Sequence, residues 1–424
     1  MSRCDLNILY VTSHCPHAHS YGAQIRVLNI GRLLKRLGRV SLVIASSEDI
    51  DQKSLDRTRA EFDVRHIVRV RPDPIKNCRD RMRFELDPFF LNTYFSAVSE
   101  YDQGIVLRMV RDYDVVWVHT TRTANDFRIY RWPHSVLDID DIQSRLYAYR
   151  AKADSGIIRS LLDYRMSVIW WRRERLLKNR FDVLAVCSQS DRKYLGEDSR
   201  IHVIPNGFTA SSQLANRAPN VMPRLGFIGS FGFMPNRDGI EWFIQKVWPS
   251  IKRVAPETRL RLVGQGSDNG FPMMGPDIDG LGFVKDTNDE IATWSAMIVP
   301  IRFGGGTRIK IAEAFSRRCP VVSTSVGAFG YEVVNGEDLL LADREEDFAA
   351  ACLHFTGNPE SGARISENAW EKFSRNWTWD SIGGSVTQAV EDCIAKNERN
   401  ETRRCLSVRD REGNRSEVQQ GFPG

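Results

Sequence analysis

Short apolar runs alternate with amphipathic stretches from the start of the chain. LNILYVTS is followed by AQIRVLNIGRLLKRLG and then by RVSLVIAS, which is the order expected for strand, helix and parallel strand. Further strands are predicted at HIVRV, DVVWVHT, SVLDID, FDVLAVCS and IHVIPNG, with a helical region that ends near Arg111. This pattern predicts one doubly wound α/β domain over residues 1–208.

A second alternating unit follows a polar, proline-containing stretch at residues 209–222, which we interpret as a linker. Its predicted strands are RLGFIGSF, LRLVGQG, LGFVKD, AMIVPI, PVVSTS and DLLLAD, within a domain at residues 223–397. The terminal helices of this domain are expected to pack back on the N-terminal domain. Residues 398–424 are charged and poor in core-forming residues, so we expect a disordered tail. The predicted fold class is α/β, with two Rossmann-like domains that face a central cleft.

Composition narrows the class of protein only modestly. At 424 residues the chain exceeds what one core usually organises, and its formal net charge of +5 favours anionic ligands weakly. The eight cysteines show no CxxC spacing, the N-terminus lacks the apolar segment of a secretory signal, and no apolar run approaches membrane-spanning length. We therefore expect a cytoplasmic protein, soluble or peripheral at the inner face of a membrane. No basic groove with interleaved aromatic residues is found, so nucleic acid is not an expected partner.

The segment PIRFGGGTRIKIAEAF contains the most specific local chemistry. Three glycines, Gly304, Gly305 and Gly306, follow a buried-strand pattern, and Thr307 is the predicted N-cap of the next helix. Arg308 and Lys310 would then lie in the first helical turn, where the helix dipole disfavours each exposed cation by about 0.3–1 kcal/mol. A bound phosphate or diphosphate would reverse that sign, because it would meet free N–H groups and two cations together. The alternative is that both side chains point into solvent.

The loop is not a Walker motif, because GxxxxGK[ST] is absent. Glu313 lies about one turn beyond Lys310, where it can pair with that lysine or accept hydrogen bonds from ribose or sugar hydroxyls. A solvated glutamate on the helix surface is the simpler alternative.

Several segments resemble one known family. VPIRFGGGTRIKIAEAFSRRCPVVSTSVGAFGYEVVNGEDLLLAD is similar to the donor-binding signature of retaining GT-B glycosyltransferases of the family 4 type, also called glycosyl transferases group 1. FIGSFGFMPNRDGIEWF resembles the first strand and turn of their C-terminal domain. In the N-terminal half, ILYVTSHCPHAHSYGAQIRVLNIGRLLKRLG, YDVVWVHTT, VLDIDDIQSRL and VIPNGF follow in the family's order. The resemblance covers about residues 6–395.

This resemblance implies transfer of a sugar from a nucleoside diphosphate sugar to a glycan or lipid-linked acceptor, with retained anomeric configuration. It also implies no cofactor and no obligatory metal, an acceptor-binding N-terminal domain, a donor-binding C-terminal domain, and a role in surface polysaccharide or glycoconjugate synthesis. Oligomeric state, donor sugar and acceptor stay open.

Site residues carried over from the family have distinct roles. Arg308 and Lys310 would neutralise charge on the departing nucleoside diphosphate, and His119, at the end of DVVWVH, would lie beside the transferred sugar. The donor-binding residues implied by the match are Gly22 at the phosphates, Glu313 at the ribose, and Val284 and Lys285 at the base.

The chain also departs from the family pattern. Gly305 stands where the family has the first of two glutamates, so other groups must recognise the sugar hydroxyls. Ser230 and the turn containing Asn236 and Arg237 replace a usual arginine and lysine, which leaves Arg308 and Lys310 as the main phosphate cations, assisted by Arg237.

Two clusters could suggest a metal, but neither predicts one. His14, Cys15, His17 and His19 lie in a loop with Pro16 and lack a second spaced ligand pair, so we expect this loop to line the acceptor or phosphate cleft. Asp138, Asp140 and Asp141 lie where the predicted strand SVLDID passes into the next helix, and in the resembling family this position fits an acceptor-side loop better than a metal site.

The stretch RMSVIWWRRERLLKNRFD leaves two alternatives open. Trp170 and Trp171, next to Arg172, Arg173, Arg175 and Lys178, either seat a helix on an anionic membrane or bury an aromatic face between domains.

Rival functions also remain. These are a sugar-nucleotide epimerase or hydrolase on the same architecture, and a catalytically degenerate GT-B binding module. A nicotinamide dehydrogenase is less consistent with the chain, because GxGxxG is missing from its proper context.

Overall fold

Two parallel β-sheets, each flanked by helices, form the molecule. The computed structural model describes residues 6–18, 22–152, 156–210, 222–268 and 275–419, with side chains described as far as residue 399. The predicted α/β class with two Rossmann-like units is confirmed. The predicted linker lies mostly in residues 211–221, outside the described residues.

The N-terminal unit is built on a seven-stranded sheet of order β3-β2-β1-β6-β7-β8-β9, with parallel pairing throughout. Its strands are β1 (Leu6–Thr12), β2 (Gly38–Ser46), β3 (Asp63–Arg69), β4 (Arg71–Pro72), β5 (Ser96–Ala97), β6 (Val115–His119), β7 (Ser135–Ile139), β8 (Val183–Val186) and β9 (Ile201–Val203), of which β4 and β5 form a separate antiparallel pair. Its helices are α1 (Gly22–Lys35), α2 (Gln52–Glu61), α3 (Cys78–Leu86), α4 (Glu100–Met109), α5 (Thr121–Asp126), α6 (Gln143–Lys152), α7 (Ile157–Glu174), α8 (Leu177–Arg180) and α9 (Gln189–Leu195), with a 3₁₀ turn at Val110–Asp112.

The C-terminal unit has a six-stranded sheet of order β12-β11-β10-β13-β14-β15. Its strands are β10 (Arg224–Ile228), β11 (Arg259–Val263), β12 (Ile278–Gly280), β13 (Ala296–Val299), β14 (Val321–Ser323) and β15 (Leu340–Leu341). Its helices are α10 (Met234–Trp242), α11 (Trp248–Val254), α12 (Asn288–Ala292), α13 (Ile309–Ser316), α14 (Glu345–Gly357), α15 (Pro359–Asn376) and α16 (Trp379–Gln419), with a π-helical stretch at Phe243–Val247. In both sheets the strand order reverses beside the first strand, which is where doubly wound folds bind ligands.

The structure differs from two sequence-based expectations about elements. LGFVKD is not a strand: β12 ends at Gly280, and the following residues form a loop that lines a cavity. The expected disorder over 398–424 is also not found as far as Gln419, since α16 continues to that residue. Glu and Arg, frequent in this segment, have high helix propensity. Residues 420–424 lie outside the described residues.

Helix α16 starts in the C-terminal unit but covers one face of the N-terminal sheet. Its buried residues Ile382, Val386 and Val390 belong to the same core cluster as Ile8 and Tyr10 of β1. The two units therefore share this helix in addition to their chain connection. No helix within the described ranges has both the length and the apolar content needed to cross a membrane.

Candidate active site

The carboxyl ends of the strands bring the predicted site residues toward one cleft. His119 ends β6, next to β1, and Ser230 follows β10. The three glycines follow β13, which pairs with β10. Both topological switch points therefore open on the space between the two units.

Helix α13 begins one residue later than predicted. Its N-cap is Arg308 rather than Thr307, and the cap makes no side-chain hydrogen bond. The Thr307 hydroxyl is used elsewhere, because it accepts a hydrogen bond from Asn206 Nδ2 at 2.9 Å. Thr307 thus connects the glycine loop to the N-terminal unit.

Arg308 is 8% exposed and turns back onto its own loop. Its Nη1 donates to the carbonyl oxygens of Gly305 and Gly306, while Nε and Nη2 are buried without a hydrogen-bond partner. Burial lowers the pKa of this guanidinium, and the nearby Asp141 charge opposes that shift. Two buried nitrogen atoms of this guanidinium therefore have no hydrogen-bond acceptor within the described ranges.

Lys310 lies on the inner side of the same helix start. Its Nζ donates to Asn236 Oδ1 at 2.9 Å and sits 3.8 Å from the centroid of the Phe227 ring. Burial, followed by the neighbouring Arg308 charge, lowers the pKa of Lys310 well below its ordinary value. Among the described residues, neither Lys310 nor Arg308 forms an ion pair within 4.0 Å. Two desolvated basic side chains therefore lie together at this helix start without an opposite charge paired to them among the described residues.

A cavity of about 590 Å³ lies beside this helix start, between the two units. Ser230, Val284, Lys285 and Glu313, all predicted donor-binding residues, line it. It is also lined by Ile25 and Phe208 of the N-terminal unit and by Gly229, Val263, Gly264, Gln265, Phe283, Asp286, Thr287 and Arg317 of the C-terminal unit. The volume and mostly apolar lining suit a nucleoside.

Arg237 is not brought to this cavity, contrary to expectation. Its Nε pairs with Glu241 Oε1 at 2.8 Å, one turn along α10, and its side chain is 51% exposed. Asn236, the preceding residue, is buried and bridges the Ser230 carbonyl oxygen and Lys310. The helical spacing separates the two neighbours, since only one can face inward.

Glu313 does not pair with Lys310. It accepts a hydrogen bond from Thr287 Oγ1 at 2.6 Å and forms an ion pair with Arg317 at 3.3 Å. Arg317 also stacks over Phe208, 5.2 Å from the ring centroid. Sequence reasoning missed Arg317; its one signal was the four-residue spacing from Glu313.

The glycine loop approaches the N-terminal unit closely at Asp141. A Cβ on Gly305 would lie 3.0 Å from Asp141 Oδ1, and one on Gly306 would lie closer to that atom than real Cβ atoms come. Asp141 itself opens onto the cleft, and it has no hydrogen-bond partner in the described part of the chain. Desolvation by the surrounding protein raises the pKa of Asp141 to about 7, and the negative charge of Asp140 adds to this shift. A carboxyl group therefore lies beside Gly305, supplied by the other domain.

Gly22, the first residue of α1, faces the start of α13. A Cβ there would lie 3.2 Å from Ile309 Cδ1. The N-termini of α1 and α13 thus meet at the cleft, and their dipoles both favour an anion between them.

His119 is fully buried beneath the cleft. Both of its ring nitrogens lack a hydrogen-bond partner, and Nε2 lies 3.9 Å from Asp140 Oδ2. The His14 ring packs edge-on at 6.1 Å. Burial lowers the pKa of His119, and burial together with His119 lowers that of His14 to about 4. Both imidazoles are therefore uncharged at neutral pH.

A buried network of hydrogen bonds and an ion pair, which sequence reasoning missed, connects the residues around Asp138 and Asp140. Arg26, fully buried, pairs with Asp138 at 2.6 Å and donates from Nη1 to Asn206 Oδ1 at 3.0 Å. Asn206 Nδ2 in turn donates to Asp140 and to Thr307. The sequence does contain one signal for this network. Arg26 lies four residues before Ile30 and seven before Leu33, which places a cation on the apolar face of α1.

A second cavity, of about 460 Å³, lies on the N-terminal side of α1. It is lined by Ser13, His14, Cys15, Ala18, Gln24, Ala45, Ser46, Ser47, Glu48, Asp49, Ile50, Asp51, Val70, Thr120, Arg122 and Asp126. The His14–Cys15 loop thus lines this second cavity. His17 pairs instead with Glu61 at 2.8 Å, and His19 lies outside the described residues.

The acidic triplet is divided among different partners: Asp138 binds Arg26, Asp140 accepts from Asn206, and Asp141 faces the glycine loop. Within the described ranges, no group of three or more His, Cys, Asp or Glu residues is arranged to hold a metal ion.

Comparison with known proteins gives the fold and a partial family match. Residues 222–358 match the family Glycosyl transferases group 1. An uncharacterized 44.6 kDa protein in the cps region of Klebsiella pneumoniae is 23% identical over 411 residues, 89% of this chain and 98% of that protein.

Solved structures with the same architecture include three with TM-scores near 0.6. Sucrose-phosphate synthase from Thermosynechococcus elongatus has a TM-score of 0.64 at 16% identity and covers 92% of this chain and 100% of its own. HepE from Anabaena, in complex with UDP and glucose, has a TM-score of 0.59 at 16% identity, and the match covers 91% of this chain and 99% of HepE. WaaG, a glycosyltransferase involved in lipopolysaccharide biosynthesis, has a TM-score of 0.58 at 14% identity, and the match covers 89% of this chain and 98% of WaaG. The chain therefore has the GT-B fold of two Rossmann-like domains, and its residues 222–358 match the Glycosyl transferases group 1 family.

Proposed function

We propose that the protein is a retaining glycosyltransferase that moves a sugar from a nucleoside diphosphate sugar to a glycan or lipid-linked acceptor. The observation that carries the proposal is the start of α13, where Arg308 and Lys310 are desolvated without a carboxylate partner beside a nucleoside-sized cavity. The family match over residues 222–358 and the UDP and glucose bound by HepE support it.

In this proposal the nucleoside occupies the 590 Å³ cavity, with the base near Val284 and Lys285 and the ribose near Glu313. The diphosphate lies against the N-termini of α13 and α1, and Arg308 Nη2, which has no partner among the described residues, and Lys310 Nζ turn to it when it binds. The sugar then points toward His119 and Asp141. The carboxyl of Asp141 beside Gly305 supplies oxygen atoms for sugar hydroxyls where the family's first glutamate is missing.

During transfer, the bond between the anomeric carbon and the diphosphate oxygen breaks, and an acceptor hydroxyl bonds to that carbon from the same face. The acceptor proton passes to the departing phosphate oxygen, so the products are the glycosylated acceptor and the nucleoside diphosphate. Arg308 and Lys310 stabilise the charge that grows on the leaving group. Neutral His119 positions the sugar rather than acting as the base.

The second cavity is the proposed acceptor site. It lies next to the donor cavity across α1, because Ile25 lines the donor cavity and the preceding residue, Gln24, lines the second cavity. We propose a role in surface polysaccharide or glycoconjugate synthesis, which the cps-region relative and the WaaG likeness support.

The test is a panel of UDP, GDP and ADP sugars scored by thermal stabilisation, because a ligand that binds the native state raises the melting temperature. At least one sugar nucleotide should stabilise the wild type, and the Arg308→Ala, Lys310→Ala double variant should lose the shift. Arg302→Ala is the matched control, since Arg302 precedes the same loop but pairs with Asp238 at 2.7 Å. No response from the wild type to any sugar nucleotide would refute the proposal.

Product analysis then separates the rival functions. A transferase forms product only with acceptor present, whereas an epimerase or hydrolase converts the donor alone. A binding module would be stabilised by the donor without converting it.

A further inference from the structure

Helix α7 exposes a stripe of apolar residues, while its polar residues Asp163, Ser167 and Glu174 are buried. Residues spaced i, i+4, i+7, i+11 and i+14 share one face of a helix. That face is exposed, by 82% at Ile157, 65% at Leu161, 64% at Tyr164, and 42% at both Val168 and Trp171. A soluble surface helix shows the opposite arrangement.

Specific bonds fix this orientation from within. The buried Asp163 pairs with Arg150 at 3.3 Å, Ser167 Oγ donates to the Ser144 carbonyl oxygen at 2.8 Å, and Glu174 Oε1 accepts from Ser144 N at 3.1 Å. Rotating the helix to hide its apolar stripe would leave these polar groups unpaired, at a large cost. The exposed stripe is therefore a feature of the fold.

The two neighbouring tryptophans of this helix lie in different environments, and neither is buried between the domains. Trp170 is 2% exposed and packs on Tyr94 at 5.1 Å, within the N-terminal unit. Trp171 faces outward, with Arg175 over its ring at 4.9 Å.

Helix α3 extends the apolar surface beside α7. Arg172 Nη2 donates to the Leu86 carbonyl oxygen at 3.0 Å, and Arg165 pairs with Glu85, so the two helices lie side by side. The segment at α3 adds three exposed side chains, Met82 at 61%, Leu86 at 64% and Phe89 at 53%. We call the exposed side chains of α3, Phe89 and α7 the outer face.

The charge of the outer face identifies its partner. Exposed cations accompany the α7 stripe at Arg159, Arg165, Arg172 and Arg175, whereas both carboxylates of α7 are buried. Helix α3 adds exposed Arg79, Arg81 and Arg83 against the less exposed Asp80 and Glu85. Apolar residues, aromatic residues with polar tips and surrounding cations together match an anionic bilayer surface. A second copy fits poorly, because self-association would bring two cationic faces together.

We infer that the outer face docks on the surface of an anionic membrane. A third cavity, of about 620 Å³, gives this placement a purpose: it shares Ser47, Val70 and Arg122 with the proposed acceptor cavity. Its wall includes Tyr94 and Phe95, and these pack on α7 and on Phe84 of α3. The two cavities therefore connect the outer face to the proposed acceptor site. If the second cavity binds the acceptor, as the proposed function has it, this connection points to a lipid-linked acceptor that is reached from the bilayer.

The docking test uses the full chain and needs no enzymatic activity. Cosedimentation is measured with vesicles of phosphatidylcholine alone and with vesicles containing about a quarter phosphatidylglycerol. We expect binding to the anionic vesicles only, weakened by raised salt, and a loss of about tenfold or more in the Leu161→Glu, Trp171→Glu double variant. Val254→Glu is the matched control, because Val254 is 68% exposed on α11, away from the outer face.

Three outcomes would overturn the inference. These are no binding to anionic vesicles, an equal loss in Val254→Glu, or a vesicle-free dimer that the double variant disperses. Because neither Leu161 nor Trp171 lines the donor cavity, sugar-nucleotide stabilisation of the double variant should equal that of the wild type. Failure of docking with donor binding intact would leave the proposed function standing.

Discussion

At the residue scale, the basic side chains of Arg308 and Lys310 are desolvated where they contribute little to the stability of the apo protein. Lys310 is desolvated, and its partners are the Asn236 amide oxygen and an aromatic ring rather than a carboxylate. A buried basic side chain without a carboxylate partner is unfavourable for stability, because its desolvation is not compensated by an opposite charge.

Lys310→Met tests this point. The free energy of unfolding of the apo protein should change by no more than about 1 kcal/mol, because relief of the desolvation of Lys310 offsets the one hydrogen bond that is lost. Stabilisation by the sugar nucleotide should disappear, as measured by urea unfolding with and without ligand. A loss well above about 2 kcal/mol with ligand stabilisation intact would mean that Lys310 is structural.

Asp141 gives a pH dependence with a defined sign. Its pKa of about 7 means that it is partly ionised at neutral pH. A diphosphate bound near Arg308 repels the ionised form and favours the protonated one, so donor binding takes up a proton. Affinity for a sugar nucleotide should therefore rise about threefold to tenfold from pH 8 to pH 6, by calorimetry.

Asp141→Asn should flatten most of that dependence, since the amide cannot ionise. The esterified diphosphate of a sugar nucleotide does not itself titrate in this range, which makes it the suitable ligand. An equally steep pH dependence in the variant would assign it to another group.

At the scale of elements, two features require glycine at Gly306 in the glycine loop: its backbone conformation and its close approach to the Asp140–Asp141 segment. Gly306 has φ +66°, and a Cβ there would meet Asp141 Oδ1 and, at 2.9 Å, the Asp140 carbonyl oxygen. Gly306→Ala should cost about 1–2 kcal/mol of stability from backbone strain and should lower donor affinity, because the Asp140–Asp141 loop must move.

Gly336→Ala separates the two causes of that effect. Gly336 has φ +82° with no atom within 4 Å of an added Cβ, so it carries the strain without the contact. Equal losses of donor affinity in the two alanine variants would show that the contact with the N-terminal domain is irrelevant.

Elements also show how far sequence reasoning reaches. Apolar periodicity predicts β1, β2, β6 and β13, because their buried runs are continuous. It fails at LGFVKD, where an apolar run lines a cavity instead of pairing. The position of Asp141 beside Gly305 and the bonding of Asn206 to Thr307 cross between domains, so no local pattern in the chain could predict either contact.

At the scale of the molecule, the two domains meet over a buried polar network. Arg26 fixes Asp138 and Asn206, and Asn206 reaches Thr307 in the other domain. Arg26→Ala should lower the free energy of unfolding by about 3–5 kcal/mol, because it leaves the Asp138 carboxylate buried and uncompensated.

The Arg26→Ala, Asp138→Ala double variant supplies the control for that prediction. It should recover part of the lost stability in urea unfolding, since the orphaned charge is gone. A loss below about 1 kcal/mol in Arg26→Ala would show that water reaches Asp138 and that the network is not a buried one.

The most direct measurement is a crystal structure of the protein with a stabilising sugar nucleotide. We predict both phosphates at the start of α13, within hydrogen-bond distance of Arg308 Nη2 and Lys310 Nζ, and the nucleoside in the cavity lined by Val284 and Glu313. A diphosphate bound elsewhere, with Arg308 still on the Gly305 carbonyl and Lys310 still on Asn236, would contradict the account.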